Sequence, residues 1–307
     1  MKVQFGEADA LPFSSNHRVH ATVSGETERL TEVLLCAPTY LEPVPCCSRT
    51  RESLRGGFEA SHEDAQHQHD ALRGVLEAHG VRCHELRPEP QMPDLCFTRD
   101  ATVTTPWGVV MLNPAMPHRA CEVDYVAGAL TQLGAAPVER IRAGHIEGGD
   151  VCIARRGLLM IGISDERTNL AGAASFAAPF QREGWDVVHC PLDPHFLHLD
   201  TIFCMLDPVT ALACVDVLDD GFLAATAAHG IRLIPTTYKE ARDLGGNILS
   251  LDGHTILCSD QFPRIGAELR RADFETVELD ISQFAACGGG LHCLTMPLTR
   301  RSNNPFG

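Results

Sequence analysis

Lysine is nearly absent from this chain. Only Lys2 and Lys239 occur among the 307 residues, so almost all of the positive charge is arginine, and the net charge is −15. Nucleic acids are bound by clustered basic side chains, and this balance argues against such a partner. A negative surface instead attracts small cations. No run of 18 apolar residues occurs, and the sequence therefore predicts no membrane-spanning helix and no membrane partner.

A secretion signal and a zinc-ligand pattern are also missing. The first residues lack an apolar stretch of the signal-peptide type, and the thirteen cysteines form no pair of CxxC motifs. These features predict a cytoplasmic protein with reduced thiols and with no metal or cofactor. His62, His67 and His69 are spaced so that they do not share one helical face, and we interpret them as solvated helix residues.

A short unit recurs five times along the sequence. Each unit has an apolar strand, a helical stretch, a second strand and a polar loop that leads into a third strand. The predicted first strands are 31–36, 108–112, 157–161, 210–214 and 254–258, and the second strands are 81–86, 137–141, 186–190, 232–236 and 275–280. One such unit cannot bury its apolar face alone. The pattern predicts an α/β fold in which residues 1–307 form a single domain.

The polar loops are the second regular feature. In a ring of units, equivalent loops meet near the axis, and these loops would place a thiol, an imidazole and several carboxylates together. Segment 41–59 interrupts the pattern, and the sequence leaves open whether it is a lid or a surface insertion. The loop residues are Asp94, Arg99, Asp100, Glu147, Asp150, His198, Asp200, Asn247 and Cys293.

Cys293 is the predicted nucleophile. Three glycines precede it at positions 288–290, where they allow close approach of the backbone and are expected to leave the thiol exposed. A nucleophilic cysteine needs a nearby base or a lowered pKa. His292 alternates with Cys293 and should point away from it. His198, from another unit, is the better partner.

The carboxylates of Asp100, Glu147 and Asp200 come from three different units. Facing one another, they stay ionised only beside a cation. A guanidinium group has five N–H donors that match carboxylates in pairs, and a metal ion is the alternative. A thiolate aimed at the same centre favours the guanidinium, because its central carbon can be attacked.

Five segments carry a resemblance to a known family. The chain resembles the guanidino-group-modifying enzymes of the pentein fold, which include dimethylargininases, arginine deiminases and amidinotransferases. The resemblance implies a five-fold pseudosymmetric α/β-propeller of ββαβ-type units. The matching segments are PDLCFTRD (93–100), EGGD (147–150), RTN (167–169), HLD (198–200) and GGGLHC (288–293).

The resemblance also implies catalytic roles. Cys293 would attack the guanidinium carbon, His198 would act as general acid and then as base, and Glu147 would orient His198 or bind a guanidinium nitrogen. A covalent thiouronium intermediate would follow, without a cofactor.

It further implies a set of substrate-binding residues. Asp100 would clamp the guanidinium, and Asp200 would take its second face. Asp94, Arg119 and Arg167 match positions that hold the α-amino and α-carboxylate groups of an amino-acid substrate. Asp150, in the EGGD loop, completes the predicted set.

The branch of the family is less fixed by the sequence. The chain length resembles that of the dimethylargininases, Asp200 resembles the deiminases and transferases, and the EGGD loop favours the hydrolases. We predict hydrolysis of the guanidinium C–N bond of L-arginine or an arginine derivative. Transfer of the amidino group to an amine is the alternative, and a non-catalytic scaffold would have no use for the thiol. A small guanidino substrate is the predicted partner, and the sequence leaves open whether the protein forms a homodimer.

Overall fold

Five three-stranded sheets make up the fold in the computed structural model, which describes residues 18–302. Their strand orders are β15–β1–β2, β3–β4–β5, β6–β7–β8, β9–β10–β11 and β12–β13–β14. In each sheet the middle strand pairs antiparallel with one neighbour and parallel with the other. The antiparallel partner is the strand that follows a polar loop. The parallel partner follows a helix, because a parallel connection needs a crossover.

The strands follow the predicted periodicity closely. Their bounds are β1 Arg29–Cys36, β2 Arg82–Leu86, β3 Thr102–Thr105, β4 Gly108–Met111, β5 Glu139–Arg140, β6 Val151–Arg155, β7 Leu158–Ile163, β8 Asp186–Pro191, β9 Phe203–Asp207, β10 Thr210–Ala213, β11 Arg232–Pro235, β12 Leu249–Ser250, β13 Thr255–Ser259, β14 Glu275–Leu279 and β15 Met296–Arg301. The middle strands are buried along nearly their whole length, as expected for strands covered on both faces.

Most of the helices connect a middle strand to its parallel neighbour, whereas the two five-residue helices lie between one sheet and the next. Their bounds are α1 Ser48–Arg55, α2 His62–Ala78, α3 Ala120–Gln132, α4 Leu170–Arg182, α5 Asp220–Ala228, α6 Tyr238–Arg242, α7 Pro263–Arg271 and α8 Ser282–Ala286. The Ser61 side chain accepts a hydrogen bond from the Asp64 backbone N–H and caps α2. On α2, His62 and His67 are exposed, but His69 is 1% exposed. Our interpretation of His69 as a solvated residue is therefore wrong.

The five sheets close into a ring. The backbone N–H of Leu30 in the first unit donates to the carbonyl of Leu251 in the last unit, at 2.7 Å. The final strand β15 is the antiparallel partner of β1, so both ends of the described chain contribute to one sheet. The predicted α/β-propeller is confirmed. The single-domain prediction for residues 1–307 includes positions 1–17 and 303–307, which lie outside the described residues.

Within residues 18–302, no helix combines the length and the apolar character needed to cross a bilayer.

Candidate active site

Each predicted polar loop leads into the strand that pairs antiparallel with the middle strand of a sheet. Tight turns at Gly148–Asp150 and Leu199–Thr201 lead into β6 and β9. The equivalent loops therefore deliver their side chains to one end of the ring. A small pocket forms there, lined by Cys46, Cys47, Asp94, Phe97, Asp100, Arg119, Arg167, Leu197, His198, Cys287, Gly288 and Cys293.

Cys293 lines this pocket and is 2% exposed. The expectation of an exposed thiol is wrong, because two side chains pack against it. The Asn247 Nδ2 donates to its Sγ at 3.3 Å, and the Asp200 Oδ2 lies 3.4 Å from the same sulfur. Burial, followed by the negative charges of Asp200 and Asp100, raises the pKa of the Cys293 thiol well above its usual range.

The glycines near the site allow neighbouring side chains to pack directly against the backbone. A Cβ on Gly289 would lie 2.2 Å from the Phe97 ring, and one on Gly290 would lie 2.6 Å from the Asn247 Oδ1. A Cβ on Gly149 would lie 2.5 Å from the His198 Nδ1. Close backbone approach, predicted for positions 288–290, is therefore observed, and it brings neighbouring side chains in toward the axis.

His198 is paired with a carboxylate. Its Nε2 lies 2.8 Å from the Glu147 Oε2, and both side chains are fully buried. Desolvation alone would lower the pKa of His198, but the charges of Asp100 and Asp150, together with the bond to Glu147, raise it to about 10. Glu147 is also bound by the Arg167 Nη1 at 3.1 Å. Burial opposes its charge, yet His198 and Arg167 together hold its pKa well below the usual range.

Asp100 is held by a second buried arginine. Arg119 donates through Nη1 to the Asp100 Oδ2, and the Gly149 backbone N–H donates to the Asp100 Oδ1 at 3.0 Å. The other guanidinium nitrogens of Arg119 donate to Glu122 and to the carbonyls of Asp94 and Phe97. Nearly all its donors therefore bind protein acceptors.

Asp200 connects the thiol to a chain of buried charges. Its Oδ2 also accepts from the His292 Nδ1 at 2.9 Å, and the His292 Nε2 lies 3.5 Å from the Glu26 Oε2. Burial would raise the pKa of Asp200, but the bond and charge of His292 leave it lowered. His292 lies behind Asp200, whereas His198 lines the pocket with Cys293.

Asp150 lies behind the pocket lining. Its Oδ1 accepts from the Leu199 backbone N–H at 2.9 Å, which fixes the turn that follows His198. Burial raises the pKa of Asp150 to about 7. This contact is that of a positioning residue, and direct substrate binding by Asp150 stays a prediction.

Segment 41–59 lies over the pocket. Residues 48–55 form α1, Cys46 and Cys47 line the pocket, and the Cys46 carbonyl accepts from the Arg167 Nη2 at 2.9 Å. The enclosed space measures about 20 Å³, which holds roughly one water molecule. The segment has the position of a lid, one of the two roles that the sequence left open.

Two groups of ligand-type side chains meet at this end of the ring. Ligand atoms of Asp100, Glu147 and His198 all lie within 4.8 Å of one another. Arg119 and Arg167 already bind two of these groups, so this set suits a planar cation better than a further metal ion. The second group contains Cys46, Asp94 and His118.

Three residues with contacts at the site received no role from the sequence. Asn247 was noted there only as a residue of the fourth polar loop, which precedes β12. Cys46 and His118 belong to the lid and to the turn Pro117–Arg119. Neither position repeats among the five units, so no sequence periodicity marks them.

A ring of five units with a thiol, an imidazole and carboxylates at one end of its axis defines an enzyme of the pentein class. The N-terminal domain of ArgZ, an arginine dihydrolase of the cyanobacterial ornithine–ammonia cycle, shares this fold. Its substrate-bound structure aligns with a TM-score of 0.76 at 21% identity, covering 88% of this chain and 98% of that chain.

Sequence comparisons agree with this class. YkgA, an uncharacterised protein of Bacillus subtilis (strain 168), is 26% identical over 294 residues, which is 95% of this chain and 98% of the relative. An arginine deiminase of Mycobacterium avium (strain 104) is 26% identical over 318 residues, covering 90% of this chain and 71% of the relative.

The family follows from a match over most of the chain. Residues 48–300 match the family model described as N,N dimethylarginine dimethylhydrolase, eukaryotic. The chain belongs to this family, and it is an enzyme of the class that hydrolyses C–N bonds of guanidino groups.

Proposed function

We propose that the protein hydrolyses the guanidinium C–N bond of L-arginine or of an arginine derivative with few substituents on its guanidinium. The single observation that supports this most is the position of the Asp200 carboxylate, 3.4 Å from the Cys293 Sγ, in a site that also presents Asp100 and His198. A guanidinium bound by Asp100 and Asp200 would place its central carbon against the sulfur.

The first step uses the charge of the substrate. In the free protein the Cys293 pKa is raised and His198 holds a proton. A bound guanidinium brings a positive charge beside the thiol, which favours thiolate formation as the thiol proton passes to solvent. The thiolate attacks the guanidinium carbon, and the His198 imidazolium gives its proton to the departing amine. A thiouronium bonded to Cys293 and a neutral imidazole remain.

The second step uses the same histidine as a general base. Neutral His198 takes a proton from water, and the resulting hydroxide attacks the thiouronium carbon. As the carbon–sulfur bond breaks, the hydroxyl proton of the adduct passes to the leaving sulfur, which gives the ureido product and restores the Cys293 thiol. Glu147 orients the imidazole throughout and stabilises its charged form, because the two groups are bonded at 2.8 Å in a buried site.

The two arginines differ in their free donors. Two of the five N–H groups of Arg167 are engaged, with Glu147 and with the Cys46 carbonyl. Arg119 instead donates to four protein groups. The donors that remain on Arg167 support a grip on a substrate carboxylate, with Asp94 available for the amine. For Arg119 the contacts support a role in holding Asp100.

Asp200 also bears on the degree of methylation. A carboxylate beside the sulfur can accept from two N–H groups of an unsubstituted guanidinium, whereas methyl groups on that edge would remove the donors. We therefore favour arginine or a singly substituted arginine over dimethylarginine, within a family named after the dimethylated compound.

We also propose a cytoplasmic location, supported by thirteen free cysteines.

Product identification by mass spectrometry tests this proposal. The purified protein is incubated separately with arginine, monomethylarginine, dimethylarginine and agmatine, with and without an added amine acceptor. We expect citrulline and ammonia from arginine without the acceptor, and little turnover of agmatine, which lacks the carboxylate. Formation of a new guanidino compound only when the amine is present would instead show an amidinotransferase.

The covalent step has a separate readout. Acid quenching during turnover should trap an adduct on the Cys293 peptide of the wild type, and Cys293→Ser should show neither adduct nor turnover. Wild-type-like turnover by the serine variant would contradict the mechanism.

A further inference from the structure

A second cavity lies beside the loop that carries Cys293, separate from the active-site pocket. Strands β3, β6 and β15 border it, and its charged side chains are Glu26, Arg99 and Arg300. Arg99 joins the cavity to the loop, because its backbone N–H and its Nε donate to the carbonyls of Cys293 and His292, at 3.3 and 3.1 Å. The cavity encloses about 20 Å³, which is room for one water molecule or one monatomic ion.

The wall of this cavity carries an excess of positive charge. Two arginines and one glutamate are its ionisable residues among positions 18–302. Burial would raise the pKa of Glu26, but His292 and the two arginines hold that pKa below its usual range, so Glu26 is ionised. Its Oε1 lies 3.6 Å from the Arg99 Nη1. Two positive side chains and one negative side chain leave the wall with one uncompensated positive charge.

Arg300 is buried among neutral acceptors. It is 4% exposed, and its Nη1 and Nη2 donate to the carbonyls of Glu28 and Ser250, at 2.6 and 2.9 Å. Burial lowers the pKa of Arg300 to about 9; Glu26 opposes this shift, and the like charge of Arg99 adds to it. At neutral pH the guanidinium is therefore charged in a place where the charge is costly.

Two donors in the wall are not used by the protein. The Arg99 Nη2 and the Arg300 Nε are buried and have no hydrogen-bond partner within residues 18–302. Arg99 is itself 5% exposed. A water molecule can accept such bonds, but it leaves the positive charge uncompensated. A monovalent anion accepts the same bonds and neutralises the charge, and the attraction is stronger in a buried site than in water.

We propose that Arg99 and Arg300 bind one small monovalent anion of the chloride type in this cavity. The volume excludes phosphate and sulfate. The bound ion compensates the charge of Arg300 and holds Arg99, which in turn fixes the backbone at His292 and Cys293. The site is a structural support for the loop of the proposed nucleophile. Binding of the ion does not depend on the proposed function, because no reacting group takes part in it.

Anomalous diffraction locates the ion. Crystals of the full chain are grown in sodium bromide, since bromide resembles chloride and scatters anomalously, and data are measured at the bromine absorption edge. We expect an anomalous peak in the cavity, within hydrogen-bond distance of the Arg99 and Arg300 side chains. Density for water without an anomalous signal at that place would overturn the proposal.

Thermal unfolding measures the binding in solution. Chloride replaces gluconate at constant ionic strength and pH, from about 1 mM to about 100 mM. For a dissociation constant near 1 mM, the wild-type Tm should rise by about 2–5 °C. Arg300→Gln removes the charge and the Nε donor, so the rise should be lost. Arg155→Gln is the matched control, because Arg155 also donates to two carbonyls, those of Pro208 and His229, but lies outside the cavity.

A second variant tests the charge argument even if Arg300→Gln does not fold. Glu26→Gln keeps the size of the side chain and removes the negative charge from the wall. The anion should then bind more tightly, so that about tenfold less chloride gives the half-maximal rise in Tm. An unchanged or weaker response in Glu26→Gln would overturn the proposal. So would a wild-type Tm that does not respond to chloride, or an equal loss of the response in Arg155→Gln and Arg300→Gln.

Discussion

Asp200 is the residue whose contacts distinguish this site most clearly. One carboxylate oxygen contacts both the Cys293 sulfur and the His292 ring, at 3.4 and 2.9 Å. The other oxygen, Oδ1, is buried without a hydrogen-bond partner. Unpaired buried carboxylate oxygens are costly, and the N–H group of a substrate would satisfy this one. We therefore expect both the substrate specificity and the ionisation of the thiol to depend on Asp200.

Asp200→Asn should change substrate preference. The amide keeps the size of the side chain but loses the charge-assisted bond to a guanidinium, worth about 1.5–3 kcal/mol. We expect kcat/KM for arginine to fall at least about tenfold more than kcat/KM for dimethylarginine. Steady-state kinetics on both compounds measure this, with the exposed Asp216→Asn as the control. Equal losses on the two substrates would show that Asp200 does not sense methylation.

The protonation of Cys293 can be followed without turnover. Because burial and two carboxylates raise its pKa, only a small fraction is thiolate at neutral pH. That fraction increases about tenfold per pH unit until the pKa is reached. Iodoacetamide labelling of the Cys293 peptide should therefore accelerate steadily from pH 7 to pH 9. Asp200→Asn, which removes a negative charge, should speed labelling at a given pH.

Exposed Cys121 provides an internal control for the reagent in the same digest. A plateau in Cys293 labelling below pH 8 would mean that the thiol is already ionised in the free protein.

At the scale of elements, the lid is attached by few bonds. The Ser48 Oγ donates to the His195 carbonyl at 2.6 Å, and Arg49 donates to the Ala285 carbonyl and to Asp243, both at 3.3 Å. Substrate entry needs more room than the closed pocket offers, so we expect these bonds to open during each catalytic cycle.

Arg49→Ala should loosen the lid. We expect hydrogen–deuterium exchange of a peptide from segment 41–59 to become several-fold faster, because two of its attachments are lost. Arg51→Ala is the matched control, since Arg51 is exposed on the same helix. Unchanged exchange in Arg49→Ala would mean that other contacts hold the lid.

Strands were the elements that the sequence predicted best. Apolar runs of four to six residues recur at regular spacing, and each middle strand matches within a residue or two, as 254–258 does with Thr255–Ser259. The polar loops were predictable because they too recur at the same place in each unit. The roles of Arg119 and Asp150 were not, because bonds from a side chain to a distant backbone leave no periodic signal. The burial of Cys293 depends on packing between units and was equally hidden.

On the scale of the whole molecule, several buried carboxyl groups cluster at one end of the ring axis. Burial raises the pKa of Asp150 to about 7, from an ordinary value of 3.8. A carboxyl with a raised pKa contributes stability that is fully present below pH 3.8 and is lost as the pH rises through 7.

Asp150→Asn should remove this pH dependence. The amide oxygen can still accept from the Leu199 N–H, and no charge forms at high pH. We expect the Tm of the variant, relative to wild type, to be about 3–8 °C higher at pH 8.5 than at pH 4.5. Thermal unfolding at both pH values measures this, with exposed Asp186→Asn as the control. A constant difference would show that Asp150 is ionised in the folded protein.

The pairing of β15 with β1 has a consequence for synthesis on the ribosome. Strand β1 emerges early, but its antiparallel partner Met296–Arg301 is the last of the described strands to be made. Until then β1 presents an open edge, which is a template for pairing with other nascent chains. Cys293 emerges at the same late moment. The growing polypeptide therefore lacks the proposed nucleophile until the other fourteen strands have been made.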